Sequence, residues 1–567
     1  MLHRGQQINQ RMRLVLWLAL FLWGAYLLTY DGILTNTDGK SMVAVTENIV
    51  KFGRFDTRQL VNWEDVSLGY RDLPFSKYPL GPSLLMIPFY AFALIVPGIG
   101  LLQTTLLLPL LATVATACLL FLISQELDYD ASAGLLLALI FAFCTGAWVY
   151  MALLMTEALA GFAFAFTFYT LLRYRASPTI LWATLGGVGL GILVLIKTIN
   201  VLVIPIFLWY AFVQGNRQKF RVDWSGLWPC LAPLTVGVAL VALYNILRFG
   251  NPLISGYDSD ELFSTPLWVG GLGLLFSPYK SLFLFNPILL LYPIGFVLGR
   301  FLLRREAVLG LLLLALHVVL FGMWWSWEGG KSWGPRFLQP IIPILVIQLL
   351  PLIDKLLKRP ILWQIIPVVL LAFLSVFIQL LGLTADDPYL AKYDFTAPFA
   401  DVSNRPWAEV PIVGHLLGWR EAPIDFAWVW QRGDLFFMSS PTLIFTLIVL
   451  GIGGVGLFFQ WRFRTQGGLA QSWLIGAWAL SLVVTLLFLQ SIKNDPRSIK
   501  DFEEAVVLQS DYNTLLSSID INSDSQDALI LTDKRFEPYL LDHYKTRAPW
   551  YTLDKAKDVE ILTTVPK

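Results

Sequence analysis

The chain has 567 residues, of which 56% are hydrophobic and only 14% are charged. This composition excludes an ordinary soluble globular protein, and about thirteen apolar runs of membrane-spanning length predict an all-α polytopic membrane protein. The net charge of +1 leaves no surplus of basic residues, which argues against nucleic acid as a partner. The chemistry of the protein is therefore expected in its few polar loops.

Arginine and lysine are concentrated on alternate turns between the apolar runs, and such basic loops stay on the cytoplasmic side of a membrane. The basic segments placed inside are the N-terminus with Arg4, Arg11 and Arg13, then Arg173 with Arg175, Arg217 to Arg221, Arg300 to Arg305, Lys355 to Arg359, and Arg462 with Arg464. The predicted spans are 14–31, 102–124, 132–149, 157–173, 179–195, 199–214, 227–248, 281–299, 306–324, 337–353, 361–384, 440–460 and 470–491. The C-terminus then lies outside.

Residues 80–98 are apolar enough for a further span, but a crossing here would reverse the orientation of everything that follows. Proline favours kinked or interfacial segments over an uninterrupted helix. Four prolines interrupt the stretch, so it is predicted not to cross: Pro79, Pro82, Pro88 and Pro97.

The predicted spans divide the chain into three parts. Residues 1–350 form a transmembrane core with the outer loop 31–78, and residues 351–491 form the remaining spans with the outer loop 385–439. Residues 492–567 change sharply to charged and polar residues. A strand pattern at 527–533 and a helical one at 502–516 predict a small extracytoplasmic αβ segment here. A third outer loop is predicted at 249–280.

The first outer loop contains a predicted helix that begins near Asp38 and ends at Gly53. Its apolar residues recur at three- and four-residue spacing, which predicts an amphipathic helix along the membrane surface: Met42, Val45, Ile49 and Phe52. Asp38 stands at or next to the predicted N-cap. Two interpretations stay open, a capping carboxylate or a general base held at the membrane face.

Two further charged residues fall on predicted outer turns. Glu157 follows Thr156, so it fits a first-turn carboxylate of a helix with Thr156 as N-cap, or a functional acid that faces a polar cavity. Lys197 divides the apolar run 179–214 into two helices. A lysine there could simply extend toward the interface, but an isolated ammonium on an outer turn, against the positive-inside trend, suits an anionic ligand such as a phosphate.

The fourth polar cluster runs from Trp324 to Pro340 and contains Glu328 and Arg336. Its tryptophans suit the aromatic belt at a membrane interface. The belt does not require the Gly-Gly and Gly-Pro-Arg steps of this cluster. Glycine lets a backbone approach a ligand closely, and arginine can bind a phosphate through two parallel hydrogen bonds.

In their order along roughly residues 10–350, these segments resemble the polytopic GT-C type glycosyltransferases that take a sugar from a polyprenyl-phosphate carrier, including protein O-mannosyltransferases and the lipid A aminoarabinose transferase. The segments that carry the resemblance are Asp38, Lys77-Tyr-Pro-Leu-Gly-Pro, Thr156-Glu157, Lys197, Asn245 with Arg248-Phe-Gly-Asn-Pro, Leu275-Phe-Ser-Pro278, and Trp327 to Arg336. One departure is plain. Many members have Asp-Glu in the first loop, whereas Gly39 follows Asp38 here.

The resemblance implies a transfer reaction with inversion at the anomeric carbon, on the extracytoplasmic face of a membrane that is expected to be a bacterial plasma membrane. It implies Asp38 as catalytic base and Lys197 with Arg336 as ligands of the donor phosphate. The residues expected to orient the substrates are Glu157, Glu328, Lys77 and Tyr78. The implied partners are a polyprenyl-phosphate-linked sugar, the lipid bilayer, and an acceptor that is a protein, a lipid or a polysaccharide.

A membrane transporter or lipid flippase is the alternative class, because it also needs charges at and within the membrane. A carrier is expected to place ionisable residues inside its spans, whereas most spans here contain none. A non-catalytic scaffold is a third class, and its expected signature is loss of Asp38, Lys197 or Arg336. The sugar, the acceptor, the oligomeric state and any use of a divalent cation stay open. No ligand cluster has the spacing of a dedicated metal site.

Overall fold

The computed structural model describes residues 2–34, 36–57, 66–70, 73–216, 219–257, 263–299, 303–384, 410–419, 424–432, 435–464 and 468–493, together with two strands at 529–531 and 550–552. Most of this part of the chain is helical, as the apolar composition predicts.

Among the described residues, the first half of the chain contains eleven α-helices and two hairpins. The helices are α1 (Leu2–Leu28), α2 (Thr37–Phe52), α3 (Leu80–Ile95), α4 (Leu101–Thr105), α5 (Leu107–Glu126), α6 (Ala131–Cys144), α7 (Ala147–Tyr150), α8 (Thr156–Ala176), α9 (Ile180–Ile196), α10 (Ile204–Phe212) and α11 (Trp224–Phe249). The antiparallel hairpins are β1 (Val66–Leu68) with β2 (Pro74–Ser76), and β3 (Val213–Asn216) with β4 (Lys219–Val222).

The second half continues in the same way. Its helices are α12 (Leu267–Phe276), α13 (Leu282–Phe285), α14 (Tyr292–Gly299), α15 (Arg304–Gly322), α16 (Ile342–Val346), α17 (Leu350–Lys358), α18 (Leu362–Thr384), α19 (Pro411–Gly418), α20 (Ser440–Phe463) and α21 (Gly468–Ile492). An antiparallel sheet contains β5 (Asp425–Phe426), β6 (Val429–Arg432) and β7 (Leu435–Met438). Short 3-10 helices cover Thr198–Val203, Pro287–Leu291, Arg336–Ile341 and Ile347–Leu349.

Each apolar run predicted as a span is helical along most of its length. Within the described residues, eight continuous helical stretches are long and apolar enough to cross a membrane: Gln10–Leu28, Leu101–Glu126, Trp224–Phe249, Arg304–Gly322, Arg336–Lys358, Leu362–Thr384, Ser440–Phe463 and Leu469–Ile492. Most other predicted spans are shorter or broken, whereas α8 (Thr156–Ala176) is long enough but not apolar enough to be counted. The run 281–299, for example, is broken at Asn286, just before Pro287, which has no backbone N–H to continue a helix. The count of thirteen spans stays a prediction.

The predicted αβ segment at the C-terminus lies mostly outside the described residues. The strand expected at 527–533 is present as β8 (Leu529–Leu531), which pairs in parallel with β9 (Trp550–Thr552). The helix expected at 502–516 and residues 385–409 of the predicted outer loop 385–439 also fall outside the described residues.

Helix α2 has the predicted apolar face and ends as predicted at Gly53, which adopts a left-handed conformation with φ of 65°. Its polar side is buried as well, because α3 and β2 pack against it. The Thr46 hydroxyl donates to the Ser83 carbonyl at 3.1 Å, the Ser83 hydroxyl donates to the Met42 carbonyl at 3.0 Å, and Ser41 bonds Ser76 at 2.7 Å. These bonds fix the helix whose first turn holds Asp38.

Helices α9 and α11 pack side by side through small residues. A Cβ atom added to Gly237 would lie 2.6 Å from the Cα atom of Gly191, so the two backbones are almost in contact. Small residues permit this close approach between membrane helices, where van der Waals packing drives association. The pair brings Lys197, at the end of α9, and Arg248, at the end of α11, to the same cavity.

We predict that single cysteines at Leu68 and Lys331 react with an impermeant maleimide from outside the cell, and that one at Arg359 does not, because the basic loops fix this orientation. All three positions are exposed in the fold, whereas the native cysteines are buried and give little background: Cys118, Cys144 and Cys230. Labelling is measured on intact cells, with permeabilised cells as the control for Arg359. Reaction of the Leu68 position but not of the Lys331 position would show that residues 80–98 do cross the membrane.

Candidate active site

Of the two interpretations left open for Asp38, the capping one is wrong, because Asn36 is the N-cap of α2. Its side chain accepts a hydrogen bond from the Gly39 amide at 2.6 Å. Asp38 therefore lies within the first turn, and its carboxylate accepts hydrogen bonds from the Arg336 guanidinium and the Tyr78 hydroxyl. Burial raises the pKa of Asp38, but Arg336 and Tyr78 outweigh burial and hold that pKa below its ordinary value. Asp38 is thus ionised at neutral pH.

Glu157 lies in the first turn of α8 with only 1% of its surface exposed. The N-cap is Met155 rather than the predicted Thr156, and it provides no side-chain hydrogen bond. One carboxylate oxygen of Glu157 accepts from Arg336 Nε at 3.0 Å and from Lys197 Nζ at 3.4 Å. Glu157 therefore joins both predicted phosphate ligands.

Arg336 begins a 3-10 helix and bonds both acids at once, with Nε on Glu157 and a terminal nitrogen on Asp38. The three residues come from distant parts of the sequence. The cluster of two acids with Arg336 and Lys197 is formally neutral, which is the condition under which such charges can be buried together.

Lys197 caps the C-terminus of α9, at the break between two helices where the sequence predicts it. Its ammonium lies 5.1 Å from the ring centroid of Phe321 and 4.6 Å from that of Phe337. Burial lowers the pKa of Lys197, while Glu157 opposes this shift by favouring the charged form. Two aromatic rings and one carboxylate thus surround the ammonium.

The structure brings Lys77 and Tyr78 to this cluster but not Glu328. Lys77 and Tyr78 both line the cavity beside Asp38, and the Lys77 ammonium lies 5.8 Å from the ring centroid of Tyr257. Glu328 belongs to the same loop as Arg336, yet its carboxylate accepts a hydrogen bond from Ser326 at 2.9 Å and is not part of the cavity lining.

Arg248 is a site residue to which the sequence assigns no role. It is 1% exposed, donates to Asn245 Oδ1 at 2.7 Å and to the Ser76 carbonyl, and lies 3.9 Å from the ring centroid of Tyr244. The sequence feature that could have indicated Arg248 is its three-residue spacing from Asn245 at the end of an apolar helix, which places both residues on one face.

Lys280 is a second residue that the sequence predictions miss. It is 1% exposed, and its ammonium donates to the carbonyl oxygens of Gly330 at 2.8 Å and Ser332 at 2.6 Å. Burial lowers the pKa of Lys280 to about 7. A single lysine between two apolar segments is the only signal in the sequence, and it does not reveal the partner loop.

A cavity of about 1020 Å³ adjoins the cluster, at the upper end of the size of ordinary ligand pockets. Its polar end contains Asp38 with four cationic side chains: Lys77, Lys197, Arg248 and Arg336. Its remaining wall is mainly apolar and aromatic: Val194, Ile196, Ile199, Val201, Val238, Val241, Ala242, Leu253, Phe263, Phe321, Trp324, Trp325 and Phe337. Within the described part of the chain, no group of three His, Cys, Asp or Glu residues could hold a metal ion.

No protein-family model matches the sequence, and no curated protein matches it. Solved structures do match. The structure of ArnT from Cupriavidus metallidurans bound to undecaprenyl phosphate is 14% identical, with 97% of this chain and 86% of that chain covered and a TM-score of 0.47. The apo structure of the same enzyme is 13% identical, with 100% and 88% covered and a TM-score of 0.47.

An oligosaccharyltransferase from Archaeoglobus fulgidus, tethered to an acceptor peptide, also matches. It is 12% identical, with 71% of this chain and 63% of that chain covered and a TM-score of 0.43.

Proposed function

We propose that the protein is a membrane glycosyltransferase that transfers a sugar from a polyprenyl-phosphate donor to an acceptor on the extracytoplasmic face of a bacterial plasma membrane. The observation that carries this proposal is one cavity with a cationic end and an apolar wall. A polyprenyl-phosphate-linked sugar has the matching division between an anionic phosphate and a long hydrocarbon chain.

The cationic end supports the phosphate assignment. Of the charged side chains that line the cavity in the described residues, four are cations and one, Asp38, is an acid. With Glu157 counted, which bonds Lys197 and Arg336, a phosphate in this position would still meet a surplus of positive charge from Lys77 and Arg248. Lys197 and Arg336 neutralise the charge that develops on the phosphate as it leaves the sugar.

The apolar wall supports the lipid assignment. Val201 and Val238 line the cavity, and Leu202 and Leu240 lie near them in the chain, do not line the cavity and are 44% and 37% exposed. The cavity wall thus adjoins the apolar helix surface that the bilayer covers. A lipid donor enters sideways along this surface, and its hydrocarbon chain need not pass through water.

Arg336 connects phosphate binding to the proposed base. In the structure its guanidinium is bonded to Asp38, and this pairing holds the pKa of Asp38 down. A donor phosphate competes for the same guanidinium, so binding of the donor weakens the pairing and makes Asp38 more basic. The carboxylate is then able to accept the proton of an acceptor hydroxyl or amine.

The reaction is a displacement at the anomeric carbon. The acceptor oxygen or nitrogen forms the new bond to that carbon, the bond to the phosphate oxygen breaks, the polyprenyl phosphate leaves with the bonding electron pair, and the acceptor proton passes to Asp38. Attack opposite the leaving group inverts the anomeric centre. Glu157 holds Lys197 and Arg336 in place, while Lys77 and Tyr78 orient the donor beside Asp38.

We predict that Asp38→Asn lowers sugar transfer by about 10² or more, because the amide has a similar shape but cannot accept the proton. Binding of undecaprenyl phosphate is expected to be unchanged or tighter, since Arg336 loses an anionic competitor. Transfer is measured with the purified protein in nanodiscs, against a panel of polyprenyl-phosphate sugars, as release of polyprenyl phosphate. Glu328→Gln is the matched control, because Glu328 does not line the cavity. Turnover close to that of the unmodified protein in Asp38→Asn would disprove the base assignment.

We predict that Lys197→Met and Arg336→Met each weaken undecaprenyl phosphate binding by about 1.5–3 kcal/mol, roughly 10- to 150-fold in Kd, the range for a hydrogen bond to a charged group. Binding is measured by titration in nanodiscs, with Lys331→Met, on an exposed position of the same loop as Arg336, as the control. Equal losses in all three variants would indicate general attraction to the lipid rather than a phosphate site. Movement of the lipid across the bilayer without cleavage of any sugar would point to a transporter.

A further inference from the structure

Lys280 lies in a turn whose backbone is fixed by hydrogen bonds that do not involve the Lys280 side chain. It lies between α12 and α13, where the Ser281 hydroxyl donates to the Leu275 carbonyl at 2.7 Å and accepts from the Phe283 and Leu284 amides at 3.2 Å each. Ser281 thereby caps α13 and closes the turn. The Lys280 side chain therefore extends from a backbone turn that is held by hydrogen bonds.

The Lys280 ammonium binds the loop that leads to Arg336. Its three hydrogens can serve the Gly330 carbonyl at 2.8 Å, the Ser332 carbonyl at 2.6 Å and the Ser332 hydroxyl at 3.4 Å. Hydrogen bonds from an ionised donor are about twice as strong as neutral ones. The backbone of residues 330–332 is therefore held by the Lys280 amine, and most strongly when that amine is protonated.

This loop has a backbone that needs such a restraint. Gly329, Gly330 and Gly334 have φ values of 70°, 67° and 62°. Glycine adopts these values without strain but loses more conformational entropy than any other residue when it is fixed. A second restraint is the Tyr150 hydroxyl, which donates to the Trp333 carbonyl at 3.0 Å. Contacts from outside the loop thus offset the entropy cost of its conformation.

The loop in turn lies against Arg336. A Cβ atom added to Gly329 would be 3.0 Å from Arg336 Cβ and 3.2 Å from its Cδ, and the Arg336 amide donates to the Gly334 carbonyl at 3.0 Å. A shift of Gly329 or Gly334 therefore displaces the side chain that bonds Asp38 and Glu157.

We propose that Lys280 is a positioning residue that fixes the 329–334 loop through its carbonyl oxygens and thereby holds the Arg336 guanidinium between Asp38 and Glu157. Lys280 does not line the cavity, so it acts through Arg336 and not on a ligand. This assignment rests on the proposed function only where it concerns phosphate binding. The effect on the loop stands independently of any substrate.

The first test is hydrogen exchange of the purified full-length protein in nanodiscs. Lys280→Met removes the ammonium but keeps a long side chain, and Lys280→Gln keeps a neutral donor in case the Met variant does not fold. Exchange of the Gly329 and Arg336 amides is expected to rise at least tenfold in Lys280→Met and less in Lys280→Gln, with other regions unchanged. Lys331→Met, which removes an exposed lysine of the same loop, is expected to match the unmodified protein. Unchanged exchange in this loop, or an equal rise throughout the chain, overturns the proposal.

The second test is a double-mutant cycle on binding of undecaprenyl phosphate. Lys280→Met alone is expected to weaken binding at least threefold. It is expected to weaken binding no further when Arg336 is already replaced by Met, because the free-energy effects of two residues that act through one group do not add. Independent losses that multiply would overturn the link to Arg336. If Arg336→Met itself leaves binding unchanged, the proposed phosphate site fails, while the exchange measurement still decides the role of Lys280 in the loop.

Discussion

The Arg336 guanidinium, bonded at once to Asp38 and Glu157, is the interaction on which the arrangement of the site depends. Ionised groups in a membrane protein are costly unless they are paired, and removal of one member of a buried pair leaves the other uncompensated. Four charges from four separate segments therefore have to meet for any of them to be tolerated. The surrounding helices and loops are arranged so that they do meet.

That requirement connects local features that otherwise look unrelated. Helix α2 is bonded to α3 and β2 on its polar side, which holds Asp38 in place. Close packing of α9 on α11 sets the position of Lys197. A buried lysine and a tyrosine hydroxyl hold the glycine-rich loop before Arg336. Each contact restrains one member of the charged cluster, so loss of a distant contact changes the position of a charged side chain at the site.

The sequence predicts features that follow from composition and periodicity. These include the helical runs, the start and end of α2, and the helix break at Lys197. It does not predict that Asn36 rather than Asp38 caps α2, because both are good capping residues two positions apart. The roles of Arg248 and Lys280 are missed for another reason. Several of their partners are backbone carbonyl oxygens, which every residue has and which the sequence therefore does not reveal: Ser76 for Arg248, and Gly330 with Ser332 for Lys280.

The aromatic rings beneath Lys197 give that side chain unusual freedom for a buried cation. Phe321 and Phe337 are stacked with ring centroids 4.5 Å apart and planes inclined by 10°, and the ammonium lies within about 5 Å of both. Attraction to an aromatic ring is less strictly directional than a hydrogen bond. The ammonium can therefore pivot away from Glu157 toward another anion while the rings continue to stabilise its charge. The Lys197 ammonium can thus change its anionic partner, whereas the Arg336 guanidinium is held by directional hydrogen bonds to two carboxylates.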